Sequence, residues 1–298
     1  MRLGAIDIGS NAARLLITDV IPGTDTNPEF IKVVLVRVPL RLGFDVFDKG
    51  EIPEHKAGKI IKTLMAYKLL LDVYDVRHVK VCATSAMRDA VNAAEIIKKV
   101  KAETGMQIHV ISGQEEASLI YENHIAENMN RDESYLYIDV GGGSTELTFF
   151  SDGKMVAKES FNIGTIRLLK NQVTEAAWDA MKEFIRVKTK GLHHMTAIGS
   201  GGNINKVFSL SKKKEGRPLT LELLRDYYKE FSNLSVPQRI SLHKLREDRA
   251  DVIVPALLIY INVLRWADAN EIYVPKIGLA DGLIHNLYEE VRLREMEV

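Results

Sequence analysis

A carboxylate followed directly by a glycine-rich turn, with apolar segments on both sides, is the sequence feature that most constrains the fold. The segment Tyr135–Phe150 has the sequence YLYIDVGGGSTELTFF, in which Asp139 precedes the turn and Glu146 follows it. The β-branched and aromatic residues around the turn predict two strands joined by a tight hairpin. Three consecutive glycines remove the side chains there, so several backbone N–H groups can converge on one anion. The two carboxylates suit Mg²⁺, although an ordinary glycine-rich hairpin would give the same pattern.

A second copy of this arrangement lies near the start of the chain. The segment Leu3–Ile17, LGAIDIGSNAARLLI, places Asp7 and Gly9 where the other copy has Asp139 and Gly141. Two copies of a strand, an aspartate and a hairpin predict two related halves that face a shared cleft. The pair is more specific than either copy alone.

A third glycine-rich turn follows a predicted strand and precedes a predicted helix in the segment Thr196–Asn205. Its sequence, TAIGSGGNIN, matches neither the P-loop pattern nor the dinucleotide-binding pattern, but a helix that begins after glycines favours phosphate binding. Helical spacing of apolar residues also predicts helices over Ile52–Val73 and over Ile240–Trp266, with Pro255 at a kink or a helix start.

Length and composition exclude several classes of protein. At 298 residues the chain is longer than one core usually supports, so we expect two domains. Lys plus Arg and Asp plus Glu are equal at 40 each, which argues against nucleic acid as a partner. The single cysteine, Cys82, excludes an internal disulfide, and no apolar segment reaches the length of a membrane span. We therefore expect a cytoplasmic protein with no membrane partner.

Several charged residues allow two interpretations from sequence alone. Glu115 and Glu116 follow Ser112 at the start of a predicted helix, where acids either complement the helix dipole or supply a general base. Arg88 follows the predicted strand Val79–Ala83 and serves either an anion or an ion pair. The remaining candidates are basic residues that would form either a substrate track or a solvated surface: Arg37, Arg41, Lys212, Lys213, Lys214 and Arg217.

The order and spacing of six motifs resemble those of the Ppx/GppA exopolyphosphatase–guanosine pentaphosphatase family: IDIGSNAARLLI, ATSAMRDAVN, ISGQEEASLIY, IDVGGGSTEL, IGSGG and RADVIVPALLI. The resemblance implies an α/β fold of two RNase H-like (actin/sugar-kinase-like) domains, with mixed sheets that face an interdomain cleft. We place the domains at 1–124 and 125–298, and the closing helix can pack on the first domain.

The family resemblance also implies roles for individual residues. Glu116 matches the catalytic glutamate that activates water, Asp139 and Glu146 match acids that hold metal or orient water, and Asp7 is a further metal-ligand candidate. The residues that match phosphate contacts are Ser10, Asn11, Arg88, Gly141, Gly142, Gly143, Ser144, Gly199, Ser200, Gly201 and Gly202. The chain departs from the family pattern where Asn203 replaces a threonine after the third turn and where the GLADG segment lacks an arginine.

The resulting prediction is a hydrolase that releases the terminal phosphate of inorganic polyphosphate with Mg²⁺, with a monovalent cation such as K⁺ as a further candidate cofactor. The alternatives are a pppGpp 5′-phosphohydrolase, a kinase of the same fold, and a nucleotide or alarmone sensor without turnover. Longer family members carry additional helical domains after the two found here, so we expect a preference for short polyphosphate. A homodimer is the candidate oligomer.

Overall fold

The computed structural model describes residues 1–21, 28–113, 115–116, 118–119, 133–152, 154–190, 195–275 and 278–296. The chain divides into two compact units: Met1–His124 together with Gly278–Val298, and Ile125–Ile277. The domain boundary that we expected at 124/125 lies outside the described residues. The segment 278–298, which the sequence boundaries place in the second domain, belongs to the first unit.

The first unit is built on a five-stranded mixed sheet. Its strands are β1 (Arg2–Ile8), β2 (Ala12–Ile21), β3 (Glu29–Pro39), β4 (His78–Ala83) and β5 (His109–Val110). They lie in the order β3-β2-β1-β4-β5, with β1 to β3 as an antiparallel meander and β4 and β5 parallel to β1. Most residues of β1 and β2 are buried, which is typical of strands covered on both faces.

The helices of the first unit include one from the far end of the chain. They are α1 (Gly43–Lys49), α2 (Glu54–Val73), α3 (Ser85–Asp89), α4 (Ala93–Thr104) and α12 (Leu279–Met296). Helix α2 packs against α4 and β2, whereas α12 packs against β1, β2 and β4. The core beneath α12 combines Leu3, Ala5 and Leu16 of the sheet with Leu283 and Leu287 of the helix.

The second unit repeats the order of the first sheet and adds an edge strand. Its strands are β6 (Ser134–Val140), β7 (Thr145–Ser151), β8 (Lys154–Phe161), β9 (Met195–Ser200), β10 (Leu219–Thr220) and β11 (Glu271–Tyr273). They form a six-stranded sheet in the order β10-β11-β9-β6-β7-β8. Strands β6 to β8 are an antiparallel meander, β9 and β11 run parallel to β6, and β10 pairs antiparallel with β11.

The core of the second unit is centred on its longest apolar helix. The helices are α5 (Thr165–Leu169), α6 (Glu175–Thr189), α7 (Gly202–Ser211), α8 (Leu221–Ser232), α9 (Val236–His243), α10 (Glu247–Ala250) and α11 (Ile253–Trp266). Helix α11 contacts α5, α6, α7, α8 and β6, and nine of its 14 residues are buried. Its continuous apolar sequence follows from this central position, because a helix surrounded by other elements has no solvent-facing side.

The sequence predicted helical structure over Ile240–Trp266 with a kink or a helix start at Pro255, and a helix does start two residues before Pro255. The chain forms three helices there, and Lys244 ends α9 in a left-handed conformation with φ of 50°. Pro255 is the third residue of α11, where the missing N–H costs no intrahelical hydrogen bond. The prediction over Ile52–Val73 is close, because α2 begins two residues later and ends at Val73.

No helix in the described ranges is long and apolar enough to cross a bilayer.

Candidate functional site

Two acidic side chains lie directly opposite each other on β6 and β7. Asp139 pairs with Glu146 in antiparallel register, and Glu146 pairs in turn with Ser160 on β8; we call these three residues the second-unit row. Directly paired residues project from the same face of a sheet with β-carbons about 5 Å apart. The buried Glu146 accepts hydrogen bonds through Oε1 from Ser144 Oγ (2.6 Å) and Ser160 Oγ (2.9 Å). These hydroxyls fix one carboxylate beside the other, half-buried one.

The glycine turn between these strands directs its amide groups away from α5. Gly141 N donates to Ser144 O (2.9 Å), which closes the turn. The carbonyl groups of all three glycines accept hydrogen bonds of 2.8–3.1 Å from residues 165–167. Because the N–H and C=O of one peptide unit point in opposite directions, the amides of the turn face the other side. Converging amides of this kind form an anion site.

Gly164 allows the start of α5 to approach the turn, and its role was not apparent from the sequence. A β-carbon at Gly164 would lie 2.4 Å from the carbonyl oxygen of Gly142 and 2.5 Å from the carbonyl carbon of Gly143. These are backbone atoms that cannot rotate aside, so glycine alone fits. The available signal was a glycine directly before a predicted helix, a pattern that also marks many ordinary turns.

The third glycine turn, between β9 and α7, lies beside the same acids. Asp139 pairs with Ser200 of β9, and a β-carbon at Gly201 would lie 3.1 Å from Asp139 Oδ1. Gly201 has φ of 111°, a conformation that other residues adopt only with strain. The Ser200 hydroxyl is buried with no hydrogen-bond partner among the described residues, as expected for a group that bonds a ligand or water.

Tyr260 of α11 supports this turn from below. Its hydroxyl donates to the carbonyl oxygen of Ser200. Burial raises the pKa of this hydroxyl well above its usual value, and the nearby carboxylates of Asp139 and Glu146 act in the same direction. Tyr260 therefore remains a neutral hydrogen-bond donor that positions the turn.

Arg249 of α10 lies against the third turn, although it is absent from the predicted site residues. A β-carbon at Gly202 would lie 2.9 Å from both terminal nitrogens of Arg249, so the half-buried guanidinium contacts the backbone at the start of α7. A guanidinium next to glycines and a helix N-terminus suits phosphate. Gly199 has a packing explanation instead, because a β-carbon there would lie 2.7 Å from Ile272 Cδ1.

The equivalent position in the first unit carries one acid and two bases. Asp7 of β1 pairs with Arg14 of β2, which pairs with Arg37 of β3; we call these three residues the first-unit row. Arg14 Nη1 lies 3.4 Å from both carboxylate oxygens of Asp7, which is 2% exposed. Burial raises the pKa of Asp7, Arg14 opposes that shift, and Asp281 of α12 adds to it.

The first glycine turn has the same hydrogen-bonded form as the central one. Gly9 N donates to Ala12 O (3.0 Å), as Gly141 does to Ser144. The buried hydroxyls of Ser10 and Ser85 are 2.7 Å apart, which joins the turn after β1 to the start of α3 after β4. The carbonyl of Asn11 accepts hydrogen bonds from the N–H groups of residues 40 and 41.

Arg88 belongs to the same part of the first unit. Its Nη1 donates to the carbonyl oxygen of Ile111 (3.1 Å), and its Nε lies 3.8 Å from Asp89 Oδ1. Ile111 directly precedes Ser112, so the guanidinium of Arg88 lies at the start of the segment that contains Glu116.

Glu115 and Glu116 have different surroundings. Ser112 N donates to Glu115 Oε2 (2.7 Å) and Ser112 Oγ accepts from Glu115 N (3.1 Å), which is a reciprocal capping box. Capping therefore explains the exposed Glu115. The half-buried Glu116 donates its backbone N–H to Ser112 O (2.9 Å), so its carboxylate is not the one that closes the box.

The predicted basic track is only partly directed outward. Lys213 Nζ donates to the carbonyl oxygen of Pro218 (2.7 Å) within its own loop. The guanidinium of Arg41 lies 4.1 Å from the ring centre of Phe44, and Arg37 belongs to the first-unit row. The exposed members of the set are Lys212, Lys214 and Arg217.

Two of the three predicted metal ligands, Asp139 and Glu146, lie together in the second unit. Among the described residues, no group of three or more His, Cys, Asp or Glu side chains is arranged to hold a metal ion. Asp7 pairs with Arg14 in the first unit, whereas Asp139 and Glu146 lie together in the second. Two carboxylates fit Mg²⁺, because that ion commonly takes one or two from the protein and the rest of its ligands from substrate phosphates and water.

The fold and these sites define a class of protein before any comparison. Each unit has an antiparallel meander followed by parallel strands, with an aspartate at the end of the first strand and a tight turn after it. This is the RNase H-like domain, here present twice as in the actin-like superfamily of phosphate-handling proteins.

Comparison with known proteins places the chain in one family of that class. The Ppx/GppA phosphatase family matches residues 26–290, so the chain belongs to this family and is a phosphoanhydride-hydrolysing phosphatase by class. It is 31% identical to a bifunctional 3-dehydroquinate synthase/phosphatase of Fusobacterium nucleatum over 71% of this chain, but it spans only 34% of that relative. It is 24% identical to exopolyphosphatase 1 of Mycobacterium bovis, over 95% of this chain and 87% of the relative.

Two further matches agree with this membership. A guanosine-5′-triphosphate,3′-diphosphate pyrophosphatase of Photobacterium profundum is 23% identical over 97% of this chain and 59% of its own length. The crystal structure of an exopolyphosphatase from Cytophaga hutchinsonii superimposes with a TM-score of 0.83 and 25% identity, covering 97% of this chain and 98% of that one. The family resemblance and the predicted fold class are confirmed.

Proposed function

We propose that the protein is an exopolyphosphatase that releases terminal phosphate from inorganic polyphosphate and favours short chains. The observation that carries the proposal is the second-unit row, in which Asp139 and Glu146 lie side by side next to two glycine turns and Arg249. The two acids can bind a cation, and the glycine turns with Arg249 can bind an anion. Together these groups suit a phosphate group with its metal ion. A protein that only binds anions gains nothing from adjacent acids, which argues against the sensor.

The chain supplies three kinds of groups for phosphoryl transfer to water. The amides of residues 142–144 and the Arg249 guanidinium bind the oxygens of the transferring phosphoryl group. The Ser200 hydroxyl donates to a further oxygen. Glu116 accepts a proton from the attacking water, and Ser10, Asn11 and Arg88 hold the remaining phosphates. Such a reaction depends mainly on charge stabilisation and on alignment of the nucleophile.

Mg²⁺ would be held by Asp139 and Glu146. When bound, it would neutralise charge on the phosphate oxygens. Ser144 and Ser160 keep the Glu146 carboxylate in place for that role. The Arg14 guanidinium balances the charge of Asp7. We therefore assign Asp7 a structural role beside the first turn instead of a role as a metal ligand.

The preference for short substrates rests on the limited basic surface. Lys213 bonds to its own loop, which leaves Lys212, Lys214 and Arg217 as the outward members of that segment. With a net charge of zero over the chain, attraction for a long polyanion must come from such local groups. Few phosphates beyond the terminal ones would then be bound.

Phosphate release from short polyphosphate, long polyphosphate, pppGpp and ATP, measured side by side with Mg²⁺, tests the substrate. We expect the highest kcat/KM for short polyphosphate. The relative from Photobacterium profundum favours pppGpp as the second candidate, and faster release from pppGpp than from any polyphosphate would replace the first proposal by that one. Transfer to an added acceptor, with no release to water, would indicate a kinase.

The role of Glu116 is tested by Glu116→Gln, which keeps the shape of the side chain and removes its basicity. Loss of a general base typically lowers the rate by about 10²- to 10⁴-fold, and we expect KM to change little. The matched control is Glu115→Gln, which weakens the capping box and should lower the melting temperature while leaving kcat nearly unchanged.

A double-mutant cycle tests whether Glu116 and Glu146 act on the same step. Residues that act as a unit give losses that do not add, so the double variant should be scarcely slower than the worse single variant. Near-normal turnover of Glu116→Gln would remove it from the mechanism.

A further inference from the structure

A cavity of about 420 Å³ lies in the first unit, at the opposite edge of the sheet from Asp7 and Ser85. It is lined by residues at the start of β4 and directly before β5, and by the last turns of α12. Asp7 and Ser85 lie instead at the carboxyl ends of β1 and β4. The lining extends along β4 to Val81 but includes no residue of the glycine turns, so the cavity is separate from them.

The cavity has a basic lining in a chain whose charges balance overall. Three cations contribute to the lining against one carboxylate, Glu290, and two imidazoles accompany them. The basic and titratable members of the lining are Arg77, His78, Lys80, His109 and Arg294. They come from β4, the residue before it, β5 and α12, so separate elements bring them together.

The internal ion pair accounts for only one of the cations. Lys80 Nζ lies 2.5 Å from Glu290 Oε1 and also donates to Asn286. The two guanidinium groups, of Arg77 and Arg294, have no carboxylate at ion-pair distance within the described part of the chain. A guanidinium presents a planar fork of donors that matches a phosphate group. Two of them at one cavity favour a ligand with more than one phosphate.

Apart from Gln107, the other side chains of the lining are apolar. Val81, Leu287 and Val291 are buried, and Met106 is half-buried beside them. Ligand pockets typically measure about 300–1,000 Å³ and combine an apolar lining with a few polar groups. A purely inorganic anion would use the basic groups and leave the apolar ones without a partner.

We propose that this cavity is a second ligand site, which binds a nucleoside diphosphate apart from the phosphate sites of the proposed reaction. The diphosphate contacts Arg77 and Arg294, and the imidazoles of His78 and His109 donate further hydrogen bonds. The base and sugar pack against Val81, Leu287 and Val291. The site is independent of whether polyphosphate or a nucleotide is hydrolysed elsewhere.

Hydrogen–deuterium exchange with GDP, and separately with tripolyphosphate, locates binding on the intact chain. We expect GDP to protect residues 76–81, 105–110 and 286–295. Isothermal titration should show that Arg77→Gln/Arg294→Gln weakens GDP binding at this site by about tenfold or more, because hydrogen bonds to charged groups are lost. The matched control, Lys101→Gln/Arg292→Gln, removes the same charge from exposed positions nearby and should leave binding unchanged.

Three outcomes would overturn the proposal. The first is protection by GDP that is confined to the glycine turns at 139–146 and 199–202. The second is equal GDP affinity of the Arg77→Gln/Arg294→Gln variant and the control. The third is protection of the cavity by tripolyphosphate at the same concentration as by GDP, which would show that the apolar lining makes no contribution. Thermal melts of both variants check that folding is retained.

Discussion

The first-unit row and the second-unit row occupy the same positions of equivalent sheets but carry different charges. In the first unit, Asp7 lies beside Arg14 and Arg37, so the acid is balanced within the protein. In the second unit, Asp139 lies beside Glu146, and the next residue in the row is a serine. The surrounding turns are alike, with Gly9 and Gly141 bonded in the same way. The difference therefore lies in the side chains and not in the backbone.

The difference in charge between the two rows changes their electrostatic free energy. Two like charges about 5 Å apart repel by roughly 3 kcal/mol at an effective dielectric constant of 20. Bound Mg²⁺ would offset this repulsion in the second-unit row, whereas Arg14 lies beside the acid of the first-unit row. The comparison supports the proposal that one copy of the hairpin has a structural role and that the other binds metal and phosphate.

The largest expected effect comes from removing one charge of the second-unit row. Glu146→Gln keeps acceptor capacity for Ser144 and Ser160 but should lower kcat by about 10²-fold or more, because a metal contributes several kcal/mol to such reactions. The apparent Mg²⁺ affinity, from the dependence of rate on Mg²⁺ concentration, should fall as well. The matched change in the first unit, Arg14→Gln, should lower thermal stability and leave kcat within about tenfold. Equal losses of kcat in both variants would contradict the assignment of different roles.

A smaller effect is expected from the contact between α5 and the central turn. Gly164→Ala places a β-carbon on backbone atoms of Gly142 and Gly143 and should lower stability by about 1–3 kcal/mol. The displaced turn should also raise KM for the phosphate substrate. Arg41 lies at the corresponding place in the first unit, where the N–H groups of residues 40, 41 and 43 donate to the carbonyls of the first turn.

The matched variant, Arg41→Ala, removes the cation–π contact with Phe44 without creating a clash, and the loss of that contact should cost at most about 1 kcal/mol. Urea unfolding measures both variants, and steady-state kinetics gives KM. If Gly164→Ala were as stable as the wild type with the same KM, the close approach of α5 would have no role in holding the turn.

The smallest expected effect concerns the pH dependence of Asp7. Because burial raises the pKa of Asp7, the folded state binds more protons than the unfolded state between the usual carboxyl value and the raised one. The contribution of Asp7 to the free energy of unfolding of the wild type therefore falls as pH rises from the usual carboxyl pKa to the raised one. Asp7→Asn has no group that titrates at this position. The free energy of unfolding of the variant minus that of the wild type should therefore increase as pH rises, and this difference should become constant above the raised pKa.

Urea unfolding of both proteins from acid to neutral pH, in the presence of EDTA, measures this difference. An advantage of Asp7→Asn that shrinks as pH rises would mean that Arg14 lowers the pKa of Asp7 more than burial raises it. The first-unit row would then be a stabilising ion pair.

Much of the fold follows from local sequence patterns. The hairpins around Asp7 and Asp139 were predictable because each combines apolar strands with a turn that the residues themselves specify. The position of Asp139 opposite Glu146 follows from counting outward from the turn between them. The same count places Arg14 opposite Asp7, so this pairing was within reach of the sequence although the prediction listed Asp7 among the metal ligands without it.

The rest of the site depends on contacts between distant segments. Arg249 reaches the turn at Gly202 from another helix, and no spacing in the sequence encodes that contact. The close approach of Gly164 to Gly142 likewise joins separate segments of the chain, and no local pattern encodes it. Lys213 was grouped with its basic neighbours, but its hydrogen bond to Pro218 depends on the conformation of the loop. Local patterns predict elements and turns, whereas tertiary packing decides which side chains meet.

The return of α12 to the first sheet has a consequence during synthesis of the chain. The apolar side chains of Leu3, Ala5 and Leu16 form a core with a helix that begins at Leu279, after the whole second unit. At typical translation rates of about 5–20 residues per second, that sheet leaves the ribosome roughly ten to thirty seconds before its covering helix does. The second unit is continuous in sequence and can finish folding first. Until α12 has been synthesised, the apolar face of the first sheet that it covers stays exposed to solvent.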